Sequence, residues 1–543
     1  MLKKTFILLA ICASTFSFAQ IDSLNMQKLG NLEYSWHLSD VWGYVDSVNN
    51  KEYALVGAED GFSVVNVTTP SNLVQELFIP GAYSIWRDIK TWSHYAYVSH
   101  DFQLSWSTAP SEGILIVDLD SLQSPRAKKF RPKFTLPNGQ QDSLLTSHNI
   151  FIDEFGVLYV FGASGIGGAP LFNGGALMFD VNTDPWNPIY LGKFENYYLH
   201  DGYARDNILY GGAINIGVLA IIDVTIKTSP QVLGTKSTPN QFAHNTWLSD
   251  DGNTVFTTDE KPGAYVAAYD VSNLSNITEV DKFRTLPGTG VIPHNVHVKG
   301  DFLVTSYYTR GAQILDAEYP DLLVEVGYYD TSPLYSSTGY HGAWGAYPFL
   351  PSGVILITDI EEGLYTLSFD NKKASRLKGY VKDSLTGLPI LQADVELAFR
   401  NKSLQTNING EYKFGFEASG WDTLVVSKFG YQTRMVPFQF VTGNYDTLTI
   451  ALLPAGFGVE QDLLTSFTLS PNPSSHEVRL QLNSPLLGKN VEIAVYDALG
   501  KKVLNMQSAY QPEITIKHSL ARGMYIVRLE AEGQTSSLKM LVN

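Results

Sequence analysis

The first two thirds of the chain consist of one pattern that is repeated seven times. Each unit contains an apolar run that begins with glycine or, once, with alanine, at Gly61, Gly113, Gly175, Gly217, Ala264, Gly311 and Gly363. A second apolar run precedes each of these, and a polar turn with a further run follows most of them. With one more run at its head, each unit of roughly 42 to 62 residues holds four short strands, which is typical of propeller blades. The sequence therefore predicts an all-β fold whose first domain, residues 20–371, is a seven-bladed β-propeller.

The two ends of this domain are predicted to meet in one sheet. No fourth run follows the seventh unit, whereas Met26–Tyr34 has the pattern of a fourth strand placed ahead of the first unit. The N-terminal segment should then complete the last blade and close the ring. The run Gly-Ile-Leu-Ile-Val-Asp at Gly113–Asp118 resembles the LVIVD repeat, and the layout of repeats plus C-terminal tail resembles the choice-of-anchor B family of bacterial surface proteins. This resemblance implies a fold and a location but no activity.

A second domain is predicted over residues 377–454. Its runs LKGYVKDSLTGLPILQADVEL, TNINGEYKF and VSKFGYQT contain turn signals at Asp383–Gly387, at Asn409-Gly410 and at Gly430-Tyr431. These runs resemble the carboxypeptidase regulatory-like β-sandwich, which implies a spacer or adhesion module. Residues 455–464 are predicted to form the linker to the tail.

The tail, residues 465–543, is predicted to be a second β-sandwich of short strands. Its motifs are FTLSPNP, VEIAVYDALGKKV and LARGMYIVRL, in which period-2 apolar runs flank tight turns. They resemble the type A C-terminal sorting domain of the type IX secretion system of Bacteroidetes. The resemblance implies that the secretion machinery is a partner, and that the protein is secreted and then anchored to the cell surface or released.

The N-terminal residues have the pattern of a signal peptide, residues 1–19. A basic start is followed by an apolar core and by Phe18-Ala19, after which cleavage is expected. Cys12 is the only cysteine of the chain, so the mature protein is expected to have no thiol and no disulfide. No second apolar run is long enough for a transmembrane segment. The net charge of −16 repels phosphate backbones, which argues against a nucleic-acid partner.

Histidine recurs at one position of the repeat. Five of the 11 histidines stand at the head of the first strand in units three to seven: His148, His200, His244, His294 and His341. Because the first strand of each blade lines the central channel, equivalent positions should form a ring around the channel mouth. Candidate ligand-binding acids are expected beside this ring, namely Asp40, Asp88, Asp201, Asp259 and Glu260.

Three interpretations of these histidines stay open. The imidazoles can be structural groups that hydrogen-bond to neighbouring strands, a ring that binds a divalent metal or a polar ligand, or participants in catalysis. A zinc or copper site would need at least three imidazole nitrogens within about 2.0–2.2 Å of one point. The side chains that end the third strands are instead expected to cap the following turn through an Asx-type bond. They are Asn66, Asp118, Asp180, Asp223, Asp270 and Asp316.

No complete catalytic signature is present. Ser164 is not in a G-x-S-x-G elbow, and the sequence GASGIGG is not followed by the lysine and helix of a phosphate loop. The preferred hypothesis is therefore a non-enzymatic binding or adhesion protein, whose propeller top face binds an unknown extracellular ligand. The alternative is a metal-dependent propeller enzyme, a hydrolase or an oxidase, that uses the histidine ring. The one cofactor that the sequence suggests is a divalent metal ion.

Overall fold

The computed structural model describes residues 22–101, 111–335, 338–455, 467–482, 490–509, 511–531 and 534–543. The predicted signal peptide, 1–19, and nearly all of the predicted linker, 455–464, lie outside these residues. Within them the chain forms β-strands and three short 3-10 helices, Leu119–Ser121, Ile166–Gly168 and Leu171–Gly174, and no α-helix. This confirms the all-β prediction. In the same residues, no helix is long and apolar enough to cross a membrane.

The chain divides into two compact units, of which the first ends at Lys372 and the second is Lys373–Asn543. In the described part of the first unit, seven antiparallel sheets contain four or five strands each. We number these sheets along the chain by their inner strand, which is the first strand of each repeat. Sheets 1 and 2 consist of Leu38–Asp46, Lys51–Ala58, Gly61–Asn66 and Val74–Pro80, and of Ile89–Trp92, Tyr95–Val98, Ile114–Asp118 and Arg126–Phe130.

Sheets 3 to 7 repeat the same antiparallel order, and a separate hairpin joins Lys133–Thr135 to Gln141–Ser143. Sheet 3 is Asn149–Ile152, Val157–Phe161, Ala176–Asp180 and Ile189–Phe194. Sheet 4 is Asp201–Arg205, Ile208–Ala213, Val218–Asp223 and Gln231–Ser237. Sheet 5 is Ala243–Leu248, Thr254–Asp259, Val266–Asp270 and Thr278–Phe283. Sheet 6 contains Val296–Lys299, Phe302–Ser306, Ala312–Asp316 and Val324–Tyr329. Sheet 7 contains Ala343–Tyr347, Ile355–Asp359 and Gly363–Phe369. A segment from the N-terminus adds a strand to each of them.

The N-terminal segment completes sheet 7, as the repeat pattern predicted. The strand Met26–Leu32 pairs antiparallel with Gly363–Phe369, and Met26 lies opposite Phe369. Just ahead of it, the short strand Ser23–Leu24 extends sheet 6. Asp22 accepts hydrogen bonds from Arg310 at 2.9 Å and from Tyr328 at 2.8 Å. The N-terminal segment therefore pairs with sheets 6 and 7, the last two sheets of the first unit in chain order.

The inner strands contact one another in a closed cycle. Each inner strand packs against that of the next sheet, and the inner strand of sheet 7 packs against that of sheet 1. The middle strands are buried on both faces between neighbouring sheets, which explains why they read as continuous apolar runs. All five side chains of Val157–Phe161 are buried, for example. This arrangement is propeller-like and places the start of every inner strand at one end of the cycle.

The Asx caps predicted at the ends of the third strands are present. In each of the six units with Asp or Asn at this position, the side-chain oxygen accepts the backbone N–H two residues later, at 2.8–3.2 Å. The caps shape the turn from the third to the fourth strand. These six side chains are therefore turn residues and are not part of the candidate site.

The second unit contains two pairs of sheets, each pair with its own apolar core. In the first pair, Glu411–Phe416, Ser375–Asp383 and Tyr445–Leu452 form one sheet, and Lys402–Gln405, Asp394–Leu397, Gly420–Ser427 and Arg434–Phe440 form the other. In the second pair, Phe467–Ser470, Glu477–Leu482 and Glu513–Lys517 form one sheet, and Lys502–Ala509, Asn490–Tyr496, Gly523–Ala531 and Gln534–Val542 form the other.

Candidate functional site

The register of the sheets defines which residues occupy equivalent positions at the start of the inner strands. In four neighbouring pairs of sheets, a hydroxyl near the end of the second strand or just after it donates to a carbonyl at this position in the next sheet. The pairs are Ser99 with His148, Thr258 with His294, Ser306 with Trp344 and Thr358 with Ser39. The column defined in this way, from sheet 1 to sheet 7, is Ser39, Arg87, His148, His200, His244, His294 and Trp344.

This register corrects the alignment of His341 with the other four histidines. His341 lies three residues ahead of the column, and Trp344 takes its place. The His341 imidazole stacks on Tyr335 with ring centroids 4.2 Å apart, and its Nδ1 lies 2.6 Å from Glu361 Oε1. Since about half of its side chain is exposed, His341 belongs to the surface of this end of the unit.

The four other histidines form a continuous arc, which we call the histidine arc: His148, His200, His244 and His294. The centroids of successive imidazole rings lie 4.0, 4.3 and 4.5 Å apart. His244 and His294 are each only 3 % exposed. The repeat therefore places four of the five predicted histidines side by side, each in contact with the next.

Three of these imidazoles are held in the neutral form. Burial and the neighbouring histidines lower the pKa of His200 and of His244 well below the ordinary value. Burial also lowers the pKa of His294 to about 3. Neutral imidazoles can act as metal ligands, because each keeps one nitrogen lone pair.

Glu260 lies at one end of the arc, between two of its members. Its Oε2 is 3.6 Å from His244 Nε2, and its Oε1 is 3.9 Å from His294 Nε2. The Tyr308 hydroxyl donates to Glu260 Oε1 at 2.6 Å. Burial raises the pKa of Glu260 to about 7. Tyr308 was not predicted as a site residue, because it lies in a loop between second and third strands and the repeat gives no signal for its position.

The other end of the arc carries a second acid. Nδ1 of His148 lies 2.7 Å from Asp101 Oδ2. Burial alone would lower the pKa of His148, but this hydrogen bond and the charge of Asp101 raise it above the ordinary value. The two ends of the arc therefore differ, because His148 binds a proton readily and His294 does not.

Replacing Asp101 with Asn is expected to lower the pKa of His148, because burial is then no longer offset by the carboxylate. In the wild type the raised folded-state pKa stabilises the fold below the ordinary pKa of 6.5. That contribution is lost as the pH rises through the folded-state pKa. NMR titration of the imidazole protons measures the pKa, and the difference in unfolding free energy between the two proteins should shrink with rising pH. An unchanged pKa of His148 in the variant would contradict this account.

A layer of acids and amides lies one residue further along the inner strands. It contains the predicted residues Asp40, Asp88 and Asp201, which are buried together with Lys90. Lys90 Nζ lies 2.7 Å from Asp88 and 3.8 Å from Asp40. Asp88 also accepts the N–H of Ile150 at 3.0 Å, which links sheet 2 to sheet 3. The cavity lined by these residues is about 10 Å³, so it admits at most one water.

Charge in this layer is balanced internally. Burial and the neighbouring carboxylate raise the pKa of Asp40 well above its ordinary value, and they raise the pKa of Asp201 to about 6. Burial would also raise the pKa of Asp88, but Lys90 and a hydrogen bond from Asp40 hold it below the ordinary value. The layer thus contains its own cation. Lys90 could have been found from the sequence, because it stands two residues after Asp88 and so faces the same side of the strand.

The next residues on this side of the inner strands are mostly aromatic. Trp247 contacts His297 with centroids 4.7 Å apart, and Lys90 Nζ lies 4.4 Å from the centre of the Trp42 ring. Phe349 packs against both tryptophans. Side chains therefore fill the space between the inner strands below the histidine arc.

Asp259 is not part of the arc, although the sequence placed it beside Glu260. Its carboxylate accepts the backbone N–H groups of Asn240 and Phe242 at 2.6 and 3.2 Å. It is fully buried and holds the loop that leads into sheet 5. Asp259 therefore supports the segment before His244 and does not face a ligand.

Two family models match the second unit. The carboxypeptidase regulatory-like domain matches residues 376–453, and the secretion system C-terminal sorting domain matches residues 468–543. Both agree with the resemblances found in the sequence. A search of curated protein sequences finds no match.

Several solved structures resemble the chain at low identity. The β-propeller domain of Cps50 (Swd1) from Myceliophteria thermophila is 12 % identical and covers 63 % of this chain and 98 % of its own, with a TM-score of 0.42. The computationally designed protein Ika8 is 11 % identical and covers 63 % and 99 %, with a TM-score of 0.39. A putative 6-phosphogluconolactonase from Bacteroides uniformis is 14 % identical and covers 52 % and 82 %, with a TM-score of 0.38.

These TM-scores are too low to identify a relative, so the fold of the first unit rests on its own strand pairing. The sorting domain at the C-terminus carries the functional information. It implies that the chain interacts with the secretion machinery, and it indicates a secreted, cell-surface-attached protein.

Proposed function

We propose that the first unit is a closed seven-bladed β-propeller, in which sheets 1 to 7 are the blades. The cyclic contact of the inner strands and the pairing of Met26–Leu32 with Gly363–Phe369 support this proposal. Repeats of the LVIVD type and membership of the choice-of-anchor B family fit the same architecture. The two pairs of sheets in the second unit are then two β-sandwiches, the first a spacer and the second the sorting signal.

The function that this arrangement supports best is non-enzymatic binding of an extracellular ligand at the end that carries the histidine arc. Loops that lead into the inner strands lie at this end. They expose three large aromatic side chains, Trp36, Tyr83 and Tyr340, which are 52 %, 46 % and 55 % exposed. Exposed aromatic rings beside buried polar groups are typical of binding surfaces, because the rings stack on sugars or on peptide groups. These three exposed rings at one end of the unit are the observation that carries the proposal.

The test compares two variants of the mature protein on arrays of extracellular polysaccharide fragments and peptides. The variant Trp36→Ala, Tyr83→Ala, Tyr340→Ala should lose about tenfold or more in affinity for the probes that the wild type binds. Phe155→Ala is the matched control, since Phe155 is 50 % exposed in a loop between first and second strands, at the opposite end. It should bind as the wild type does. Equal binding by all three proteins would overturn the proposed binding face.

One observation favours the alternative, a metal-dependent hydrolase or oxidase. His244, Glu260 and His294 would occupy three positions of a tetrahedral metal ion and leave one for water or substrate. The alternative requires that the metal-loaded protein hydrolyses an ester or oxidises a phenol, and that Glu260→Gln abolishes the reaction. Inactivity of the metal-loaded wild type on both substrate classes would leave binding as the function.

A further inference from the structure

Three side chains at the end of the histidine arc share a geometry that direct hydrogen bonding does not explain. Ligand atoms of His244, Glu260 and His294 all lie within 4.8 Å of one another. The two nitrogen–oxygen distances, 3.6 and 3.9 Å, are too long for hydrogen bonds. In a tetrahedral site with bonds of about 2.1 Å, neighbouring ligand atoms are about 3.4 Å apart. The gap between the carboxylate and the two imidazoles is therefore close to the size that one shared ion requires.

The surrounding groups already orient these side chains. Nδ1 of His294 lies 2.6 Å from the carbonyl oxygen of Trp344. A carbonyl only accepts, so Nδ1 carries the proton and Nε2 turns its lone pair toward Glu260. Tyr308 donates to Glu260 and fixes its carboxylate. A histidine held by a carbonyl and a carboxylate held by a donor are the supporting contacts that metal ligands have in proteins.

His244 contributes the third ligand atom. Its side chain is 3 % exposed, and its ring centroid lies 4.5 Å from that of His294. These surroundings keep its Nε2 beside Glu260 Oε2, at 3.6 Å. A neutral imidazole has one nitrogen lone pair to offer to a metal ion.

We propose that His244, Glu260 and His294 bind one divalent transition-metal ion, of which Zn²⁺ fits best. Two imidazole nitrogens and one carboxylate are a ligand set of zinc sites and are unsuited to Ca²⁺ or Mg²⁺, which prefer oxygen ligands. The fourth position is open to water or to His200, whose ring centroid lies 4.3 Å from that of His244. This site does not depend on the proposed ligand-binding face.

Two other polar clusters of the described residues do not support a metal site. His94, Asp118 and Asp120 also bring their ligand atoms together. There, however, Asp118 already pairs with Arg126 at 3.2 Å and accepts the N–H of Asp120. In the layer of Asp40 and Asp88, Lys90 already supplies the positive charge. Of the three clusters, the one around Glu260 brings a carboxylate next to two imidazole nitrogens.

The experiment uses the full mature chain, purified without a histidine tag, stripped with EDTA and titrated with ZnCl₂ by isothermal titration calorimetry. The wild type should bind one ion per chain. Glu260→Gln, which keeps an acceptor for Tyr308, and His294→Gln should each weaken binding by about 100-fold or more. His341→Gln is the matched control, because it removes an imidazole outside the cluster, and it should bind as the wild type does.

Thermal unfolding gives a second readout. ZnCl₂ should raise the Tm of the wild type and of His341→Gln, and it should leave the Tm of Glu260→Gln unchanged. The proposal is overturned if the folded wild type shows no saturable binding at micromolar ZnCl₂, or if Glu260→Gln binds as tightly as the wild type. The two proposals can fail separately. If the protein binds zinc but the Trp36, Tyr83 and Tyr340 substitutions do not change binding to the polysaccharide and peptide probes, the metal site is supported and only the binding face is contradicted.

Discussion

Replacement of Glu112 by alanine is expected to lower the free energy of unfolding of the first unit by about 3–5 kcal/mol, because it leaves a buried guanidinium without its counter-ion. Arg87 and Glu112 are each 1 % exposed and are joined by a 2.9 Å contact. Arg87 also donates to the carbonyl oxygens of Ala58 and Ala82. One cation thus ties sheet 1 to the loop that leads into sheet 2, and it depends on one carboxylate for neutrality. Chemical denaturation of the wild type and the variant measures the loss.

Two further variants separate this effect from a general loss of contacts. Lys129 binds the other oxygen of Glu112 at 2.9 Å but is 44 % exposed, so Lys129→Ala should cost less than about 1 kcal/mol. The double variant Arg87→Met, Glu112→Leu removes both charges and should recover much of the stability lost in Glu112→Ala. If Glu112→Ala is no more destabilising than Lys129→Ala, the ion pair does not have the proposed role.

The same pair should depend on pH in one direction. Burial would raise the pKa of Glu112, but Arg87 and Lys129 outweigh burial and lower it below the ordinary value. A lowered folded-state pKa gives stability that is present at neutral pH and lost as the pH falls through that pKa. The difference between the wild type and Glu112→Ala should therefore be largest at neutral pH and shrink in acid.

Removal of residues 467–543 is expected to abolish delivery to the cell surface and to leave the protein in the periplasm. These residues contain the whole segment that matches the secretion system C-terminal sorting domain. They also form an apolar core of their own, so the first unit does not need them for its sheets. Cell fractionation and the access of added protease to intact cells measure the location. Surface exposure of the shortened protein would contradict the prediction.

Two substitutions in the tail test whether its fold is what the secretion machinery recognises. Val527 is fully buried between strands of the tail, so Val527→Asp places a charge in the core and should unfold this domain. Leu499 is 65 % exposed in a turn, and Leu499→Asp should leave the domain intact. We expect the first variant to stay in the periplasm and the second to reach the surface. Export of both variants would show that a folded tail is not required.

The sequence predicted the all-β fold and the strand pattern of the first unit well because strand, turn and repeat signals agree with one another. Each middle strand reads as an apolar run, since it is buried on both faces, and each third strand ends in an Asx cap. Because the seventh unit lacks a fourth run, the sequence predicted that an N-terminal strand completes it, and Met26–Leu32 does pair with Gly363–Phe369. Repetition made these signals strong, because the same local solution is visible several times.

The candidate site could be predicted only in part. The repeat located four of the histidines, but the lead-in to sheet 7 contains His341 three residues before the column, and spacing alone could not show that Trp344 fills the position. The partners that give the site its chemistry, Tyr308 and Asp101, lie in loops of unequal length. Such loops carry no periodic signal, so their side chains can be placed only once the sheets are known.

The strand Met26–Leu32 can pair only after nearly the whole first unit has been synthesised. Gly30 and Thr366, which bond across the closing strands, are 336 positions apart in the chain. At about 5–20 residues per second, the first strand waits for tens of seconds before its partner is synthesised. Until then the strand Met26–Leu32 lacks its partner, and a chain that ends before Gly363 keeps this strand as an open edge. Only a chain that has been made beyond Phe369 can reach the final topology of the first unit.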